Sequence, residues 1–236
     1  MAARERFRLL PLAEERDRLL DRLGDLRYVR EDGDRIAIGA LTRHADLVRD
    51  PLLARHCAVI PVAAAQIGDP QVRHRGTIGG SVAHGDPASD LGTILLTLDA
   101  ELVARGPGGG RTIRADELFT GFFETALAPD EVLTEIRVPK VEGGLYLKHV
   151  RREHDWATVG VAAARVGGRV QIGLTSMGAT PLRAAAVEEA LAGGASPEEA
   201  AARAGEGTSP PSDVNASSEY RAHLAQVLVR RAIESL

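Results

Sequence analysis

The sequence predicts an α+β fold in two consecutive units. Three observations lead there. Short helical and short strand segments interleave as far as Pro139. Three extended segments then follow at close spacing, about 144–152, 157–166 and 169–177. After Thr180-Pro181 the chain turns Ala- and Glu-rich. Consecutive strands with short connections favour an antiparallel meander. The second unit, 144–236, therefore reads as a three-stranded antiparallel sheet plus helices, and the boundary falls near Lys140–Gly144.

Taken in order, Leu12, Leu19, Leu20 and Leu23 among many charges predict a short amphipathic helix over 12–23. Residues 26–29 and 35–39 read as strands around the turn Glu31-Asp-Gly-Asp34. Thr42 is an expected N-cap for a helix stopping before Pro51, and a further helix is expected over 51–67. Asp86-Pro87 resembles an N-cap followed by Pro at the first helical position, opening a helix to about Leu98. Residues 100–105 and 111–114 flank Gly106-Pro-Gly-Gly-Gly110, a hairpin loop. Residues 131–138 alternate as a strand, closed by Pro139. Gly167-Gly168 is a tight turn, Ser196-Pro-Glu-Glu199 a capping box, and a last helix covers about 217–234.

Composition narrows the function. The 236 residues carry a formal charge of −4, which argues against a nucleic-acid binder held by phosphate contacts. Cys57 is the one cysteine, too few for a disulfide or a cysteine metal cluster, and its apolar neighbours predict a buried, inert thiol. His44, His56, His74, His84, His149, His154 and His223 lack metal-ligand spacing, so no metal site is expected. No apolar run has the length of a membrane span, and the charged start is unlike a secretory signal, so a cytoplasmic protein is expected.

Candidate chemistry lies between Gly68 and Leu91. In Thr77-Ile78-Gly79-Gly80-Ser81, adjacent glycines allow successive backbone N–H groups to form an anion-binding concavity. The hydroxyls of Thr77 and Ser81 can add donors, and Arg73-His74-Arg75 supplies positive charge. The same residues also read as a turn with solvated basic neighbours, since neither a G-x-G-x-x-G nor a Walker A pattern is present. In Asp86-Pro-Ala-Ser89-Asp90, a hydroxyl and a carboxylate in a first helical turn can hold a polyol; helix capping by a dipole-favoured acid is the other reading.

The string from Ile67 to Leu98 lies between Leu41-Thr-Arg-His-Ala-Asp46 and Ala115-Asp-Glu-Leu-Phe119. Together these closely resemble the flavoprotein family of molybdenum hydroxylases: the medium, FAD-carrying subunit of aerobic carbon monoxide dehydrogenase and its relatives, with the flavin domain of xanthine dehydrogenase. Tyr146-Leu-Lys-His-Val-Arg-Arg152, Asp155-Trp-Ala157 and Gly178-Ala-Thr-Pro-Leu-Arg183 resemble that family's C-terminal domain, so the likeness spans about 20–236. The resemblance implies a PCMH-type FAD-binding domain over 1–140, a mixed sheet with flanking helices, ahead of the C-terminal domain.

It further implies that Thr77–Ser81 wraps the FAD diphosphate, that Asp90 binds the ribityl chain, with Ser89 beside it as a cofactor-binding candidate, and that His84 lies beside the cofactor. Leu133 would lie against the flavin ring, Lys148 near its edge and Trp156 near the ring. The partners implied are a large molybdopterin subunit and a small [2Fe–2S] subunit, in a dimer of heterotrimers, with electrons passing through FAD to an acceptor. Family members begin with another flavin subdomain bearing its own Gly-Gly loop, whereas this chain has no glycine before Gly24. A truncated flavin domain is therefore expected, and with it the alternative of an assembly subunit that does not hold FAD tightly.

Overall fold

A computed structural model describes residues 24–236; the helix expected over 12–23 lies outside them. A 3-10 turn, Gly24–Leu26, leads into the hairpin β1 (Val29–Asp32) and β2 (Arg35–Gly39). Its turn needs Gly33, at φ 64°. Helix α1 is His44–Arg49. Arg43, not Thr42, occupies its N-cap, because the Thr42 hydroxyl is engaged with Tyr28, accepting from its N–H and donating to its carbonyl.

The helix expected over 51–67 is two, α2 (Pro51–His56) and α3 (Val59–Ala65). Pro61 explains the break. Inside one long helix it would lack an N–H and clash with the carbonyl four residues back. In the first turn of α3 it costs nothing, and the new helix axis buries Val59, Ile60, Ala63 and Ala64. Cys57 sits at the break, fully buried, its thiol pushed up to about 12 by burial, as an inert cysteine should be.

Helices α4 (Pro70–Arg75) and α5 (Ile78–His84) follow, then α6 (Asp90–Thr97). Helix α6 opens at Asp90 with Ser89 as N-cap, later than Asp86-Pro87 suggests. Asp86 instead accepts from the Ala88 N–H in a tight turn, and the Pro87 carbonyl accepts from Ser176 N, tying this turn to the second half of the chain.

Hairpin β3 (Glu101–Gly106) and β4 (Gly109–Arg114) leads into α7 (Ala115–Leu118), the small hairpin β5 (Phe119–Gly121) and β6 (Glu124–Thr125), and β7 (Val132–Pro139). The main sheet has the order β1-β2-β7-β3-β4. Every ladder in it is antiparallel, so the mixed sheet expected from the resemblance is corrected among the described residues. The reason is topological. Both outer pairs are hairpins, and β7 enters between them running against β2 and β3 alike.

The second sheet has β8 (Gly144–His149), β9 (Val159–Val166), β10 (Arg169–Thr175) and β11 (Leu182–Arg183), in the order β11-β10-β9-β8. It therefore has four strands rather than three; a two-residue strand carries no periodicity to read. Gly167 and Gly168, both at positive φ, make the turn between β9 and β10. Helices α8 (Ala185–Ala192), α9 (Pro197–Ala202) and α10 (Ser218–Glu234) cover the outer face. The Ser196–Glu199 capping box is formed as its sequence predicts.

Strand β9 is fully buried from Val159 to Ala164, because both of its faces are covered. Val159, Val161 and Ala163 pack with α8–α10, whereas Tyr146, Ala162 and Ala164 join the core beneath the main sheet. Helix α6, buried along its whole length, lies on this inner face. Glycines make the approach possible: a Cβ at Gly160 would overlap the Tyr146 hydroxyl, and one at Gly173 would overlap Thr97 Oγ1. Gly160→Ala is accordingly expected to destabilise the fold by about 1–3 kcal/mol through overpacking, read as a lower urea midpoint at unchanged slope.

Candidate functional site

The Gly-Gly segment is the first turn of α5, not an open loop. Thr77 is the N-cap and its hydroxyl accepts from Gly80 N at 3.1 Å. Ile78 N donates to Thr42 O, Gly79 N to Ala40 O and Ser81 N to Thr77 O, so each of these amides has an acceptor within the chain. The two glycines serve different ends. A Cβ at Gly79 would stand 2.6 Å from both the carbonyl oxygen and the Cβ of Ala40, so its absence lets α5 seat against the end of β2. A Cβ at Gly80 would meet only Thr77 Oγ1, and the residue is exposed, so its outer face is bare backbone.

Around that turn, Asp69 caps α4 and Arg73 folds the preceding loop by donating to Ile67 O and Gly68 O. Ser81 Oγ lies 3.1 Å from Nε2 of His44, a side chain from α1 that is only 2% exposed. Burial, and then the charge of Arg73, push the His44 imidazole down to about 4. At the other end of α5, Gly85 at φ 69° closes the helix, and the exposed His84 ring meets Phe123 edge-on at 4.9 Å. Phe122 and Phe123 form the exposed tip between β5 and β6.

Asp90 and Lys148 meet directly. Lys148 Nζ donates to Asp90 Oδ2 at 2.8 Å and to Gln66 O; Tyr146 donates its hydroxyl to Asp90 Oδ1 at 2.6 Å. Tyr146 and Lys148 are two apart on β8, so both side chains leave the same face, toward α6. Thr175 Oγ1 lies 3.2 Å from the tyrosine oxygen and bonds Thr93 Oγ1 on α6. The Lys148 and Asp90 side chains are 4% and 3% exposed. Burial pushes the Asp90 carboxyl above its ordinary range, against the pull of Lys148 and Tyr146. Burial, then Asp90, push the Tyr146 phenol well up, so it stays a donor.

The remaining candidates lie elsewhere. Leu133 is buried in the core under the main sheet, on β7, against which α5 packs. Trp156 is 62% exposed in the β8–β9 connection. It lines a cleft of about 320 Å³ with Arg151, Arg152, Asp155, Thr158, Val214 and Asn215, and no other candidate residue lines that cleft. The structure thus gathers Thr77 to Ser81 and His84 on α5, sets Ser89 and Asp90 at the start of the adjoining α6, and leaves Trp156 in its own cleft. His44 and Tyr146, to which sequence reasoning gave no role, are integral to the two clusters. Both lay inside quoted motifs, but nothing in a linear string shows which side chains meet.

Two family matches cover almost the whole chain. Residues 19–141 match the FAD binding domain in molybdopterin dehydrogenase, and residues 145–236 match the CO dehydrogenase flavoprotein C-terminal domain. The chain belongs to this flavoprotein family of oxidoreductase subunits. It is 36% identical over 245 residues to the carbon monoxide dehydrogenase medium chain of Hydrogenophaga pseudoflava, covering 96% of this chain and 85% of that one. It is 37% identical to the nicotine 6-hydroxylase medium subunit of Paenarthrobacter nicotinovorans, over 88% of this chain and 77% of that one. Among solved structures, carbon monoxide dehydrogenase from Hydrogenophaga pseudoflava superposes with a TM-score of 0.86 at 39% identity, over 91% of this chain and 79% of that one. Quinoline 2-oxidoreductase from Pseudomonas putida 86 gives 0.85 at 27% identity, over 92% and 79%. No helix among the described residues is long and apolar enough to cross a membrane.

The start of α5 fits the phosphate end of FAD. It offers the Thr77 and Ser81 hydroxyls and the nearby guanidinium groups of Arg73 and Arg75, beside a Gly80 that puts no side chain in the way. Asp90, Lys148 and Leu133 have almost no surface to offer a ligand, and the first two satisfy one another.

Removing one partner of a buried ion pair strands the other charge. Asp90→Asn should therefore cost about 3–5 kcal/mol in urea denaturation, and the double change Asp90→Leu with Lys148→Met should cost less than the two single changes summed. His44 supplies a pH dependence. Its pKa is depressed on folding, so its share of stability is complete above about pH 6.5 and drains away as pH falls toward about 4. Between those values stability should fall by up to about 1.4 kcal/mol per pH unit, and His44→Gln should flatten that limb of the profile.

Proposed function

We propose that this chain is the FAD-carrying electron-transfer subunit of a cytoplasmic molybdenum hydroxylase. In this reading a large partner oxidises the substrate at a molybdopterin centre, and a small partner relays electrons through [2Fe–2S] clusters. The complex is a dimer of heterotrimers. The observation that carries the reading is the 36% identity to a carbon monoxide dehydrogenase medium chain over 96% of this chain, through both family domains. Bound FAD supplies the redox chemistry, taking up electrons and handing them to an acceptor.

The chain's own residues bind and orient. Thr77 and Ser81 offer hydroxyls to the diphosphate, Gly80 leaves room for its close approach, and Arg73 and Arg75 neutralise its charge. His84 stands at the far end of the same short helix, at the edge of an aromatic cluster with Phe122 and Phe123. Asp90, Lys148 and Tyr146 brace α6, against which α5 rests. Ser89, as the N-cap of α6, belongs to the same support. Trp156, exposed and flanked by Arg151 and Arg152, is left to face a planar or anionic group from the cofactor or a partner.

The purified full-length chain, supplied with FAD and desalted, should retain flavin absorbance near one equivalent. Gly80→Val should lower FAD affinity by at least about ten-fold by placing a side chain over the exposed turn, and should cost the fold only about 1 kcal/mol as the Thr77 cap hydroxyl gives way. A folded, colourless wild-type chain would overturn the reading.

A further inference from the structure

The buried imidazole behind α5 is not among the groups that offer themselves to the cofactor. His44 lies on α1, held from several sides. Its backbone N–H donates to Gly76 O, and a Cβ at Gly76 would come 2.7 Å from the ring's Cδ2. The missing side chain at position 76 is what lets the ring reach Ser81 at 3.1 Å. Its other nitrogen, Nδ1, is buried and has no hydrogen-bond partner among the described residues.

That orphan decides the tautomer. The ring is neutral near pH 7, because burial and Arg73 disfavour its charged form, so one nitrogen carries a proton and one a lone pair. A buried N–H without an acceptor is the rarer and costlier omission, compared with an acceptor left short of a donor. The proton therefore belongs on Nε2, pointing at Ser81. Ser81 Oγ then accepts from the ring, and its own proton must go elsewhere. Among the described residues Oγ has no other partner. The residue is half-buried at the first turn of α5, beside the bare backbone of Gly80.

We propose that His44 is a positioning residue for this site: through its Nε2–H it holds Ser81 Oγ as an acceptor, which turns the Ser81 hydroxyl outward as a donor to the phosphates of the flavin dinucleotide. The inference rests on the flavin reading above and names the device by which a helical serine is kept from spending its proton on its own backbone. An unconstrained serine in a helix bonds the carbonyl four residues back. A histidine kept neutral near pH 7 and clamped from behind removes that choice.

The test uses the full-length chain and two readouts. Nitrogen NMR of the labelled apo protein, with the His44 signals assigned by their loss in His44→Gln, reads the tautomer directly. A neutral Nε2–H ring supports the inference and an Nδ1–H ring overturns it. Titrations with FAD, ADP and riboflavin read the consequence. His44→Phe and Ser81→Ala should each weaken FAD and ADP binding by about ten-fold, the worth of one hydrogen bond to a charged group, and leave riboflavin binding unchanged. The double variant should lose no more than either single one. His44→Gln, which keeps a donor, should recover most of the affinity. Additive losses, or equal losses for riboflavin, would reduce His44 to a packing residue and overturn the proposal. If wild type binds none of the three ligands, the flavin reading itself fails, whereas the NMR arm still decides the tautomer.

Discussion

A carboxylate buried at the junction of α6 and β8 governs this molecule. Asp90 begins the most enclosed of the described helices, and burial works against its charge. Lys148 and Tyr146 reach it from one face of β8, and Thr175 and Thr93 extend the polar chain into the helix. A pair this dry adds little net stability, because desolvation offsets most of the attraction. What it adds is specificity: a shift of α6 along the sheet by one residue would strand two charges in the core. The two halves of the chain are thus set in one register relative to each other.

The register matters because α6 is a spacer. On one side it lies over Gly160 and Gly173, where missing side chains bring the helix down onto the second sheet. On another it supports α5, whose first turn seats on Ala40 through Gly79. Position is transmitted from the second sheet through α6 to the exposed face of Gly80. The residues of the proposed flavin site that are open to solvent on α5 are few and small. Those behind them, Asp90, Lys148, Tyr146 and His44, have side chains almost wholly withdrawn from solvent.

Much of the fold was legible in the linear string. The Gly33 turn, the Gly167-Gly168 turn, the Ser196 capping box and the last helix all follow from local chemistry, and all are formed. Three of the misreadings share a physical cause, dependence on a neighbour distant in sequence. Pro87 stays outside α6 because its carbonyl is bonded to Ser176. Thr42 does not cap α1 because Tyr28 holds its hydroxyl. The main sheet is antiparallel throughout its described strands because β7 slots between two hairpins. The break at Pro61 is the exception, a local signal that a helix-length pattern masked.

For the site, the sequence by itself determined which chemistry is present: a Thr-Ile-Gly-Gly-Ser turn behind a basic segment, an acid at a helix start and a family resemblance over nearly the whole chain. Motifs of this kind survive in a string because they are contiguous. Only the tertiary structure decided what each residue does there. It made Gly79 a packing glycine and left Gly80 bare. It made Lys148, expected near the flavin edge, the counterion of Asp90, and it placed His44 behind Ser81. These roles are set by burial and by distances across tens of residues. Such distances exist only once α6 has been locked onto the second sheet.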